Sequence, residues 1–243
     1  MEVIPLGDSA LIVRVHERFE DAPEEILDQV LHTLYQLREA AIPGVIELAP
    51  AYTSVAVFFD PIVVAEASGR PDETFDWLTM QIRGVVSGAG RRRRVRAAKS
   101  DMRLVEIPVC YVPEFAPDLD DVARSAELST KEVVELHSTA EYRVACIGFV
   151  PGFPFLTGLA KKLATPRRAT PRKEISPGSV GIGGAQTGIY PLRSPGGWNL
   201  IGRTPLKLFD PTKNPPSFLR AGDRVRFRAI TREEFESSNA LKP

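Results

Sequence analysis

Residues 181–204, GIGGAQTGIYPLRSPGGWNLIGRT, constrain this chain more than any other stretch. Glycines at 181, 183, 184, 188, 196, 197 and 202 alternate with Ile182, Ile189, Tyr190, Trp198, Leu200 and Ile201, and Pro191 and Pro195 oppose a helix. A solvated tether would not carry so many large apolar side chains. A Walker phosphate loop closes on Gly-Lys-Ser/Thr, whereas these glycines run into Ala185-Gln186-Thr187. Gly181 and Gly183 match two positions of a dinucleotide fingerprint, but Gln186 stands at the third and the prolines bar the helix that should follow. What remains is a tightly turned β segment whose glycines let the backbone approach something closely. Gln186 offers an amide donor and acceptor, Tyr190 a hydroxyl on a ring, and Arg193 and Arg203 forked cations. That set suits a small anionic or amide ligand. It equally suits barrel corners whose polar groups satisfy backbone, and the pattern leaves both readings open.

The first 90 residues read differently. Leu11, Val13 and Val15 alternate after a Gly7-Asp8 break, as in a strand. Ile26, Val30, Leu34, Leu37 and Ala41 fall on one face of a helix over 22–41, with Pro23 in its first turn. Strands follow at Val45–Leu48 and Ser54–Phe59, then a second helix from about Pro71 with the stripe Phe75, Leu78, Ile82 and Val85. This order predicts a ferredoxin-like α/β domain over residues 1–90. SGAGRRRRVRAAKS contains a basic linker, set at 91–102. Residues 103–243 open with a strand, Leu104–Tyr111, then two short helices, the second with the capping-box pair Ser129 and Glu132. Its acidic residues Glu132 and Glu135 argue against a DNA-recognition helix. Many short strands with Gly/Pro turns then predict a β-barrel, closed by a strand over Asp223–Ile230 with Val225, Phe227 and Ala229 inward. The fold class is α+β.

Charge excludes some functions. With 31 basic and 31 acidic residues, no overall field favours nucleic acid or an anionic membrane. Cys110 and Cys146 sit in apolar runs and read as core thiols. No two-His or Cys/His spacing supports a metal site. The first residues show no signal-peptide pattern, and no apolar run reaches the roughly 20 residues of a membrane span, so a cytoplasmic location is expected.

The stretches GFVPGFPFLTGL (148–159), ATPRRATPR (164–172), SPGSVGIGGAQTGIYPLRSPGGWNLIGRTP (176–205) and LFDPTKNPPSFLRAGDRVRF (208–227) resemble the bacterial family of 5-oxoprolinase B subunits. That family is also called allophanate hydrolase subunit 1, carboxyltransferase domain, and includes a sporulation histidine-kinase inhibitor. LGDSALIV and PAYTSVAVFFDP extend the resemblance to the N-terminal part. It implies a cyclophilin-like barrel, partner subunits A and C, and ATP with Mg²⁺ in the assembled complex, their site lying on another subunit. The implied reaction opens the lactam of 5-oxoproline to glutamate. Alternatives are a histidine-kinase inhibitor and a urea-type carboxyltransferase subunit. Carried onto this chain, the resemblance makes His137, Gln186, Tyr190, Arg203 and Thr204 candidate catalytic residues; a structural histidine near a helix end is the other reading of His137. Gly183, Gly184, Thr187, Arg193, Ser194, Arg167, Phe153 and Pro154 become candidate contacts to a small-molecule substrate. Arg168, Arg172 and Trp198 also match. One departure stands out: Val112, Pro113 and Ala116 replace family glycines and are expected to narrow a site or shift substrate choice.

Overall fold

The computed structural model describes residues 1–88 and 103–240; the basic linker expected at 91–102 lies outside them. The chain divides into two compact units, Met1–Met102 and Arg103–Pro243.

In the first unit, β1 (Glu2–Pro5), β2 (Ala10–Arg14), α1 (Pro23–Ala40), β3 (Val45–Ala51), β4 (Ser54–Phe59), α2 (Pro61–Ser68) and α3 (Thr74–Ser87) follow one another. The described strands form one antiparallel sheet in the order β1-β2-β4-β3. The run β2-α1-β3-β4 reproduces the ferredoxin-like arrangement, and β1 occupies the edge that a C-terminal strand would otherwise fill. Leu11 and Val13 of β2 and Val55, Val57 and Phe59 of β4 point to one face, where Ile26, Val30, Leu34, Leu78 and Ile82 of the helices bury them. Sequence periodicity missed α2. Its segment PIVVAEAS is apolar on all sides, but its ends were written locally: Asp60 accepts from the Ile62 and Val63 amides, Pro61 opens the helix, and Gly69 closes it at φ +66°.

The second unit begins with β5 (Leu104–Cys110), α4 (Leu119–Ala126) and α5 (Thr130–Thr139). Ser129 and Glu132 form the expected capping box at the start of α5. Then come β6 (Glu141–Ile147), β7 (Pro154–Thr157), β8 (Arg172–Ile175), β9 (Ser179–Gly183), β10 (Gln186–Ile189), β11 (Ser194–Gly196), β12 (Asn199–Arg203), β13 (Arg224–Ile230) and α6 (Arg232–Ala240). Among the described residues, β10-β7-β6-β13-β5-β12-β9 close into a barrel, and β8 and β11 pair as a separate ribbon. Val144, Leu156, Val180, Ile182, Ile189, Ile201, Val225 and Phe227 fill the barrel. Val225 and Phe227 point inward as expected, but Ala229 is exposed and Ile230 is buried instead. Ile230 packs with Cys110 and Phe235 of α6, a helix that the sequence pattern did not suggest. Both cysteines are buried.

Candidate functional site

All five residues of β9 are buried, so both faces of this strand are covered. Alternation along a strand sends Val180 and Ile182 into the barrel and Gly181 and Gly183 to its outer wall. On that wall lies a second core of Phe153, Ile175, Tyr190, Trp198 and Leu200. The glycines are there for Trp198. A Cβ at Gly183 would sit 2.5 Å from the indole Nε1, and one at Gly188, across the β10–β9 pair, 2.9 Å from the ring. The indole therefore lies flat on bare backbone, as only glycine permits. Gly196 makes room in the same way for the Tyr190 hydroxyl, where a Cβ would approach to 2.4 Å.

Between this wall and the β8–β11 ribbon opens a cleft of about 220 Å³, lined by Phe149, Phe153, Phe155, Arg167, Arg168, Pro171, Tyr190, Gly196, Gly197 and Trp198. Its rings meet edge to face: Phe153 packs at 5.0 Å on Tyr190 and 5.4 Å on Trp198. Phe149 stands 60% exposed at the edge and leans on Phe153. The Arg167 guanidinium sits 5.9 Å above the Trp198 ring. Behind Arg168 is a node that holds the wall in place. Asp118, 2% exposed, accepts from Arg168 Nη1 at 2.7 Å, Arg172 Nη2 at 2.8 Å and the Leu200 amide at 2.7 Å. It thereby ties the start of α4 to β12, to β8 and to the loop before β8. Charge-assisted bonds of this length are the strong kind, and removing one partner of such a buried set costs about 3–5 kcal/mol. The Tyr190 phenol is pushed up by burial, opposed by the Trp198 amide that donates to it and by Arg167 and Arg172. It stays protonated through neutral pH.

The structure divides the residues singled out from sequence. Phe153, Tyr190 and Arg167 line the cleft. Pro154 and Gly183 back its wall, Pro154 through the carbonyl against Gly188. Thr187 and His137 lie on the other side of the wall. The Thr187 hydroxyl donates to Gly181 O at 3.0 Å, so it accepts from His137 Nε2–H at 3.0 Å. His137 Nδ1 then accepts from the Tyr111 hydroxyl at 2.8 Å. The ring stacks on Phe227, has no exposed surface, and is held neutral by desolvation, its pKa lowered to about 3. Of the two readings of His137, the surroundings favour the structural one: it is a satisfied histidine of the barrel interior, away from the cleft. Gln186 pairs with Gly183 at the start of β10 and is half-buried, but does not line the cleft. Gly184 is exposed in the turn at φ +65°.

Arg203 is displaced as well. Its guanidinium lies 5.7 Å over Phe115 and its Nε donates to Pro177 O. Thr204 is buried, its hydroxyl accepting from the Leu206 amide. Arg193 is exposed and paired with Glu174 at 2.5 Å. Ser194 is buried, and its hydroxyl has no partner among the described residues. Val112, Pro113 and Ala116 flank Phe115 and are not among the residues that line the cleft. Asp118 drew no assignment from the sequence; it stands at the start of α4, and its side chain makes no capping bond there. A signal existed, in the Arg-rich ATPRRATPR stretch that needs a buried anion to hold it. Among the described residues, no group of three or more His, Cys, Asp or Glu is placed to hold a metal ion, and no helix is long and apolar enough to cross a membrane.

Comparison with known proteins agrees over both units. The B subunit of 5-oxoprolinase from Bacillus subtilis (strain 168) is 42% identical over 242 residues, covering 97% of this chain and 95% of that one. The B subunit of 5-oxoprolinase from Escherichia coli O157:H7 is 56% identical over 131 residues, 54% of this chain and 60% of the relative. Among solved structures, TTHA0988 superimposes with a TM-score of 0.72 at 36% identity over 91% of this chain, which spans 40% of that longer protein. Urea carboxylase from Kluyveromyces lactis shares the fold at a TM-score of 0.71 and 20% identity, covering 97% of this chain and 22% of that one. Residues 1–219 match the family described as carboxyltransferase domain, subdomain C and D, and the chain belongs to it.

Proposed function

We propose that this chain is the B subunit of an ATP-dependent 5-oxoprolinase, which opens the lactam of 5-oxo-L-proline to L-glutamate together with subunits A and C in the cytoplasm. The observation that carries this is the near-full-length likeness to the Bacillus subtilis 5-oxoprolinase chain, spanning both units. The cleft supports a binding role within such an enzyme. Its lining offers aromatic faces, two guanidiniums and a protonated phenol, and no carboxylate, thiol or imidazole to move a proton near neutral pH. This chain's residues bind, orient and exclude water. ATP and Mg²⁺ do not fit here: a cleft of about 220 Å³ without a carboxylate oxygen suits neither a nucleotide nor a hard cation. In this reading they come to the complex through other subunits.

The test is co-expression with its genomic neighbours, followed by assay of 5-oxoproline-dependent ATP turnover and glutamate release. Turnover with 5-oxoproline and none with urea is expected. Urea-dependent turnover instead would replace this reading with the carboxyltransferase alternative.

A further inference from the structure

The cleft carries an uncompensated charge. Arg167, Arg168 and Arg172 gather beside it, and among the described residues the one carboxylate bonded to any of them is Asp118, which already serves Arg168 and Arg172. Arg167 has no carboxylate partner among the described residues; its contact is the Trp198 ring. Arg168 Nε and Arg172 Nη1 are buried without hydrogen-bond partners among the described residues. The surroundings are aromatic, so the cations are poorly screened on that side and an entering anion gains more than it would in open water. The anchoring also differs usefully. Asp118 fixes Arg168, while Arg167 is exposed and, among the described residues, held only by its contact with the indole face.

We propose that Arg167 and Arg168 form an anion receptor at this cleft, which takes the carboxylate of a small ring-bearing substrate while its ring lies against Trp198 and Phe153. The ring requirement follows from the lining: inorganic phosphate would leave the aromatic faces unused, and a nucleotide exceeds the volume. The identification of that substrate as 5-oxoproline rests on the proposed function; the receptor chemistry does not.

The test uses the full chain in a Trp77→Phe background, so that Trp198 alone reports, with calorimetry alongside. Four probes are titrated: 5-oxo-L-proline, 2-pyrrolidinone as the same lactam without its carboxylate, and the pair benzoate and benzamide. Inorganic phosphate is the competitor. Saturable binding of a carboxylate probe, roughly tenfold tighter than its neutral counterpart, is expected, as for a hydrogen-bonded charge pair. Arg167→Gln should abolish that preference and leave the neutral probes unchanged, and Arg167→Lys should restore part of it. Arg193→Gln, exposed and away from the cleft, should change nothing. Equal binding of charged and neutral probes, no saturable binding of either carboxylate, or displacement by phosphate as effective as by benzoate each overturns the proposal. Benzoate bound in an Arg167-dependent way while 5-oxoproline is ignored would keep the receptor and overturn the oxoprolinase reading. An active oxoprolinase complex with KM unchanged by Arg167→Gln would do the reverse.

Discussion

The neutral His137 makes the stability of the barrel depend on pH in a specific window. In the folded chain the imidazole has no access to water and its pKa is lowered from 6.5 to about 3 by desolvation. Its neighbours offer no counter-charge: Tyr111 and Tyr142 are phenols whose pKa values burial raises, Thr187 is a hydroxyl, and Phe227 stacks on the ring. In the unfolded chain His137 takes a proton below its ordinary value, while in the folded chain it does not until about 3. The contribution is therefore fully present above pH 6.5 and is lost as pH falls from there toward 3. Over the whole window the linkage amounts to about 5 kcal/mol, and between about pH 7.5 and about pH 4.5 it is about 3 kcal/mol. The assay is urea unfolding at these two pH values, followed by Trp198 fluorescence in the Trp77→Phe background. Wild type is compared with His137→Gln, whose amide is polar but does not titrate. Carboxylates contribute to both chains alike, so the difference in pH dependence isolates His137. Equal losses in the two chains, or His137 ring protons titrating near 6.5 by NMR, would refute the buried neutral assignment.

Three further outcomes follow from the geometry. Gly183→Ala places a methyl 2.5 Å from Trp198 Nε1, so the indole must lift from its bed; a loss of about 1–3 kcal/mol in thermal unfolding and a red-shifted Trp198 emission are expected, and an unshifted emission would contradict the glycine bed. Ser129→Ala removes half of the capping box at the start of the helix that carries His137, at a cost of about 1 kcal/mol by denaturant midpoint, and no change would show that cap to be idle. Arg203→Gln gives up a cation–π contact with Phe115, worth about 1 kcal/mol at most, and should leave binding at the cleft unchanged; lost binding would return Arg203 to the site.

Much of the fold was legible. α1 and α3 announced themselves through their stripes, α5 through its capping box, and the barrel through short strands punctuated by Gly and Pro. α2 escaped because a helix apolar on all sides has no stripe, although Asp60, Pro61 and Gly69 marked its ends. The site was half legible. Tyr190, Phe153 and Arg167 line the cleft, while His137 and Thr187, candidates carried over from the family resemblance, meet each other inside the barrel. A histidine, the residue most suited to proton transfer near neutral pH, can still be a buried structural link, and only its surroundings tell the two apart.

The sequence alone determined where chain elements start, stop and turn, because periodicity, caps and glycine turns act within a few residues. It also determined that some group would press against bare backbone between residues 181 and 204. The tertiary structure decided what that group is: an indole of the chain itself rather than a ligand. It also decided which polar groups meet, joining Asp118 to Arg168 and Arg172 across 50 and 54 residues, and His137 to Thr187 across 50. In a pleated strand one residue's step, Thr187 to Gly188, separates the barrel interior from the cleft wall, and the side each faces is fixed by register with neighbouring strands rather than by the local sequence.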